Sequence, residues 1–165
     1  MAVFTAAEAI NMALRIEQTG EAFYTGMARK VQDPQVKAVM EDLAVQEQRH
    51  YNAFMKLSGY VTEPPSHSQA EWEEYERYLR VAVDNAIFAG PDKALALAES
   101  IADPKDALRM ALGFEKDTLL FYYDLREMMR EADRPVVNEI IREEKAHVRR
   151  LAGLLGSARG QACIW

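Results

Sequence analysis

Residues 40–57 read MEDLAVQEQRHYNAFMKL and residues 137–154 read VNEIIREEKAHVRRLAGL. In the first stretch Met40, Leu43, Glu47, His50, Phe54 and Leu57 recur in steps of three and four. In the second, Val137, Ile140, Glu144, His147, Leu151 and Leu154 recur in the same steps. That spacing marks one face of an α-helix. In both, a Glu-x-x-His pair occupies the apolar stripe instead of the polar face. One such pair in an acidic helical chain means little. Two pairs, at matched places in matched stripes, call for an explanation.

Working outward, each pair has a lone glutamate about 30 positions upstream, on a stripe of its own. Glu17 follows Ile10 and Ala13 and precedes Gly20, Tyr24, Met27 and Val31; Glu115 follows Leu108 and Ala111 and precedes Thr118, Tyr122, Leu125 and Met129. Shifting the Glu17 stripe onto Glu115 places Ile10 on Leu108, Ala13 on Ala111 and Tyr24 on Tyr122. A shift one position shorter lays Met40–Leu57 on Val137–Leu154. The chain is therefore an internal repeat of a helical hairpin. It occurs twice and is too long to be a solenoid unit.

Start and stop signals bound four long helices at about 5–31, 34–58, 104–131 and 134–155. Thr5 with Glu8 forms a capping box, Asp33-Pro34 and Asp103-Pro104 each supply an N-cap and an N1 proline, and Gly59 supplies a stop. Asp133 is the expected cap of the fourth helix, with Pro135 in its first turn. The crossover, 59–103, opens with a Pro64-Pro65 loop. A helix follows at about 69–88, started by a Ser68–Glu71 capping box and broken at Gly90-Pro91; a short helix spans about 92–100. The tail, 156–165, carries little pattern. Short connections within each half make those helices antiparallel neighbours. The expected architecture is all-α: one domain over 1–165, a four-helix bundle of two pseudo-repeated hairpins joined by a long crossover containing shorter helices.

Composition excludes several classes. The 165 residues are 49% hydrophobic and 28% charged, with a net charge of −6, which gives no electrostatic reason to bind nucleic acid. A single cysteine, Cys163, excludes an intramolecular disulfide and a Cys-x-x-Cys metal knot, and the natural inference is a reducing, cytoplasmic compartment. No signal-peptide pattern opens the chain, and no run approaches the ~18 apolar residues of a membrane span.

The chemistry follows from burial. A carboxylate taken out of water without a partner costs several kcal/mol, and four together cost more. No lysine or arginine lies on the stripes at that level, so two divalent cations are the expected counter-charge for Glu17, Glu47, Glu115 and Glu144. Mixed carboxylate and imidazole donors favour iron or manganese, with zinc as a substitute; His50 and His147 disfavour an all-oxygen calcium site. Tyr24 and Tyr122, two turns beyond the lone glutamates, read either as functional, hydrogen-bonding ligand carboxylates or donating electrons, or as ordinary core aromatics. Glu21, whose repeat counterpart is Leu119, reads as a surface residue or a neighbour of the ligands. His67 reads as an exposed loop residue and Cys163 as no nucleophile.

These motifs resemble the rubrerythrin-like branch of the ferritin-like di-iron proteins, in which one Glu from each of two helices joins a Glu-x-x-His from each of the other two. The resemblance covers the four helices and leaves the tail unmatched. It implies two iron ions, with Glu47 and Glu144 bridging and with Glu17, Glu115, His50 and His147 each binding one iron. Tyr24 and Tyr122 match tyrosines just outside the family's ligand set. It further implies an oxidoreductase reacting with peroxide or dioxygen in oxidative-stress defence, a di-iron centre with no separate catalytic residue, and a homodimer. The rubredoxin module of rubrerythrins proper is absent, so electrons would come from an external donor. Many rubrerythrins also carry a glutamate three positions after the third-helix ligand; here that position is Thr118. Alternatives are a ferroxidase or iron-handling protein, a non-catalytic metal-dependent sensor or structural bundle, and substrate hydroxylation, which would need an apolar channel.

Overall fold

The computed structural model describes residues 6–59 and 90–160. Among these residues it contains five α-helices and no strand: α1 (Ala6–Lys30), α2 (Pro34–Ser58), α3 (Pro91–Ser100), α4 (Pro104–Met128) and α5 (Arg134–Gly160). The readings of Thr5, of the Pro64-Pro65 loop with His67, of a helix at 69–88 and of Cys163 lie outside the described residues.

The sequence signals act where they were read, with local differences. Asp33 caps α2, its carboxylate accepting from the backbone N–H of Gln35 at 2.8 Å and of Val36 at 3.0 Å. Asp103 caps α4, accepting from Lys105 N–H at 2.8 Å. These bonds satisfy donors that a helix start otherwise leaves open. Asp133 instead pairs its carboxylate with Arg130 at 2.7 Å. Helix α4 stops at Met128 because Met129 is extended (φ −78°, ψ 148°). Helix α5 runs on past Leu155 to Gly160. Leu155 is itself buried there, and no proline interrupts the following turn.

Two apolar clusters fix the arrangement. One joins late α1 (Phe23, Met27), early α2 (Met40, Leu43), early α4 (Leu108, Ala111) and late α5 (Leu151, Leu155). The other joins early α1 (Ile10, Ala13), late α2 (Phe54, Leu57), late α4 (Tyr122, Leu125) and early α5 (Val137, Ile140). Early with late in both clusters means that α1 runs antiparallel to α2 and to α4, and α5 antiparallel to α4 and to α2. Contact is densest within each hairpin, α1 on α2 and α4 on α5, and sparser between hairpins. Between the two clusters lies a polar layer. Each fully buried large side chain contributes ~1.5–3 kcal/mol, so two such clusters can offset the several kcal/mol that a buried charge costs.

The short helix α3 packs along α1. It starts at Gly90, whose φ of +91° a side chain would strain. Gly26 of α1 meets it so closely that a Cβ there would fall 2.8 Å from Ala98 Cβ and 3.0 Å from Leu95 Cδ1. Gly113 in α4 has nothing within 4 Å of the same point. These two glycines predict opposite outcomes in thermal unfolding. Gly113→Ala should stabilise by ~0.5–1 kcal/mol through helix propensity. Gly26→Ala should lose that gain and destabilise by ~1–3 kcal/mol through overpacking against α3.

Candidate metal centre

Each helix places its polar stripe residues in the layer between the apolar clusters. Glu17, Glu47, His50, Glu115, Glu144 and His147 are all at most 3% exposed. The buried charged and polar residues among those described include no lysine or arginine. The structure thus brings together all six residues that the stripes singled out. Glu21 stays outside: with its amide oriented to donate, Gln48 lies 3.0 and 3.1 Å from the Glu21 oxygens.

The six residues form two quartets, each with ligand atoms within 4.8 Å of one another: Glu17, Glu47, His50 and Glu144; and Glu47, Glu115, Glu144 and His147. The quartets share Glu47 and Glu144, one from each hairpin. The imidazoles lie side by side, ring centroids 5.7 Å apart and planes 23° apart. His50 Nδ1 is 2.8 Å from Glu144 Oε1 and 3.5 Å from Glu17 Oε2. His147 Nδ1 is 3.0 Å from Glu144 Oε2, 3.5 Å from Glu115 Oε1 and 3.6 Å from Glu47 Oε1.

The tyrosines connect the hairpins crosswise. Tyr24 of α1 donates its O–H to Glu115 of α4, and Tyr122 of α4 donates to Glu17 of α1. Both are fully buried and pack as core aromatics as well: Phe23 meets Tyr24 edge-on at 5.6 Å, and Phe54 lies 5.2 Å from Tyr122. Hydrogen bonding to a ligand carboxylate and core packing therefore hold together, since a buried hydroxyl needs an acceptor.

Two further residues went unread in the sequence. His50 Nε2 lies 2.7 Å from Glu143 Oε2, and His147 Nε2 lies 2.9 Å from Gln46 Oε1. Each sits one position before a Glu-x-x-His, on the opposite hairpin from the histidine it holds. The signal was present as a polar residue at matching places in both repeats. Its partner could not be inferred without knowing which helices face each other. With Nε2–H donated outward, Nδ1 faces the carboxylates, so the proton each ring would give up to a metal is the one on Nδ1.

Burial sets the protonation of the cluster. Desolvation, then repulsion from Glu144 and Glu17, pushes the Glu47 carboxyl well above its usual range. Desolvation, then the charge of Glu144, raises Glu115 to about 8. Desolvation acts against charge on the imidazoles too, but carboxylates beside them outweigh it: Glu144 and Glu17 raise His50 to about 11, and Glu115 and Glu144 raise His147 to about 10. Glu144 is the exception. Burial opposes its ionisation, yet the hydrogen bond with His147 and the charged His50 ring 2.8 Å away hold it below the usual range. Desolvation, then the neighbouring carboxylates, raises both tyrosines well above their ordinary value, so they remain donors.

The donor set fits metal ions by an independent test. Glu17 Oε2, Glu47 Oε1, His50 Nδ1 and Glu144 Oε1 are buried without a hydrogen-bond partner. His50 Nδ1 and Glu144 Oε1 are close but not aligned as a hydrogen bond. These four atoms belong to the four residues of one quartet. Orphaned buried polar atoms are rare in folded proteins, and an ion is one of the few things that satisfies four converging ones.

A cavity of about 20 Å³ lies beside the cluster, lined by Ile16, Gly20, Glu47, Phe114, Glu115 and Thr118 among others. Gly20 and Thr118 occupy equivalent places in the repeat. A Cβ on Gly20 would lie 3.1 Å from Glu47 Oε2, so glycine lets α1 approach that carboxylate.

The rubrerythrin family model matches residues 8–155, and the chain belongs to that family. Its fold is accordingly the ferritin-like four-helix bundle. No curated protein and no solved structure matches the chain.

The protonation pattern has a signed consequence. The metal-free folded chain retains protons that the unfolded chain releases, on Glu115 between pH 4.5 and about 8, and on the histidines between 6.5 and about 10 to 11. Where the folded state binds more protons, stability falls as pH rises. Glu144 acts in the opposite sense, its contribution being lost as pH falls below the ordinary carboxylate range. The melting temperature of the metal-free protein should therefore fall from about pH 6 to about pH 9, and divalent cation should abolish that fall, because binding requires the ligands deprotonated. A metal-free melting temperature that rises across this window would contradict the assignment.

Proposed function

We propose that this rubrerythrin-family protein holds two iron ions and reduces peroxide, or dioxygen, at them. The observation that carries the proposal is the pair of buried quartets sharing Glu47 and Glu144. In this reading Glu47 and Glu144, common to both quartets, would serve both ions, Glu17 and His50 would complete one position, and Glu115 and His147 would complete the other. Mixed oxygen and imidazole donors suit iron or manganese. Two bound ferrous ions would supply the two electrons that, with two protons, take peroxide to water; the same two electrons would take dioxygen only to peroxide.

The chain's own residues do the rest. Four carboxylates offset the charge of two divalent ions. The two apolar clusters keep bulk water from the layer on both sides, which strengthens every charge interaction within it. Tyr24 and Tyr122 hold Glu115 and Glu17 by one oxygen each and orient them. The cavity at Gly20 and Thr118 gives a reactant access to Glu47 and Glu115. At about 20 Å³ it has room for roughly one water-sized molecule. That size favours peroxide or dioxygen over an organic substrate to be hydroxylated. Thr118 supplies no further carboxylate, so the six-residue set stays symmetric. Electrons to restore the reduced centre would come from a separate donor. Among the described residues no helix is long and apolar enough to cross a membrane.

Two measurements test this. Glu47→Ala and His147→Ala should each lower the iron content found by elemental analysis, and unchanged iron in both would refute the ligand assignment. In stopped-flow mixing, the iron-loaded reduced protein should be oxidised faster by peroxide than by dioxygen. Faster oxidation by dioxygen would favour iron handling. Slow oxidation by both, with iron retained, would leave a sensor or structural bundle.

A further inference from the structure

We propose that the two metal positions are unequal, and that the position completed by His50 fills before the one completed by His147. The inference rests on the metal-binding reading above and extends it to the residues behind the ligands. The repeat provides an internal control. His50 and His147 are equivalent, as are their outer partners Glu143 and Gln46, and the two outer contacts have nearly the same length, 2.7 and 2.9 Å. What differs is charge. His50 Nε2–H donates to a carboxylate, while His147 Nε2–H donates to a neutral amide. A carboxylate acceptor draws the proton outward and makes Nδ1 the stronger donor to a metal.

The surroundings keep that difference in place. The amide nitrogen of Gln46 donates to Asp42 Oδ2 at 2.7 Å, and Arg150 pairs with the same Asp42 oxygen. This fixes the oxygen of Gln46 toward His147 and leaves the nearby Asp42 charge compensated. Among the described residues Glu143 pairs with no cation other than His50. Its side chain is 41% exposed, so its field is partly screened and the effect acts mainly through the hydrogen bond.

The test titrates the full-length metal-free protein with Co(II), following binding by calorimetry and the ring signals of labelled histidines by NMR. The chain has three histidines, so assignment needs only His50→Gln and His147→Gln controls. The expected result is two steps at least about 10-fold apart in affinity, with His50 responding to the first equivalent and His147 to the second. Glu143→Gln should weaken the first step and bring the two together. Gln46→Glu should tighten the second, and the double exchange should reverse the order in which the rings respond. A purely structural role for these residues would not exchange the order. Two equivalents bound in one step, with both rings responding together, would overturn the inference while leaving the metal site standing. An order unchanged by the double exchange would overturn it too. Failure of the wild-type protein to bind Co(II) would overturn the metal reading, and the inference with it.

Discussion

The mutual repulsion of four carboxylates in one desolvated layer is the constraint on which the rest of this structure depends. Glu17, Glu47, Glu115 and Glu144 lie between two apolar clusters with no buried lysine or arginine among the described residues. Such a layer cannot stay fully ionised without cations. In the metal-free chain, protons take that role: Glu47 and Glu115 hold theirs more tightly than usual, and the histidines are positively charged beside Glu144. Metal ions held there would replace those protons. The fold thus encloses a site at which two kinds of cation would compete.

The duplicated hairpin makes that site possible by supplying each group twice. A single hairpin carries two carboxylates and one imidazole, too few to surround two ions. Pairing two hairpins head to tail doubles the set and lets each complete the other. The tyrosine–glutamate bonds run between hairpins, as do the contacts of Glu143 and Gln46 with the histidines. Contacts between the hairpins are otherwise sparse. The polar layer therefore specifies how the two halves are docked, since sliding one hairpin by a turn would break every crosswise bond at once.

Near-symmetry also shows where the halves have diverged. Gly20 and Thr118 differ in bulk at equivalent places and line the same small cavity. Glu143 and Gln46 differ in charge at equivalent places and hold equivalent rings. Differences of this kind, at positions the repeat makes comparable, are where the near-symmetry of the site is broken.

Much of this was legible without coordinates. Steps of three and four are properties of one helix, so Ile10 to Val31 and Met40 to Leu57 declare their buried faces locally. The placing of Glu17, Glu47, His50 and their counterparts on those faces already implied a buried ionic site. Asp33 and Asp103 declare helix starts because capping involves only the next few residues. Beyond that range the sequence was silent or misleading. The end of α5 depends on Leu155 finding a place in a core built by other helices. The lowered carboxyl of Glu144 depends on two histidines from two different helices. The sequence by itself determined which residues face inward and that they would need a counter-charge, because helical periodicity is local. Tertiary structure alone decided that Tyr24 reaches Glu115, that Glu143 holds His50, and that Gly26 admits α3, because those contacts exist only once separate helices are packed together.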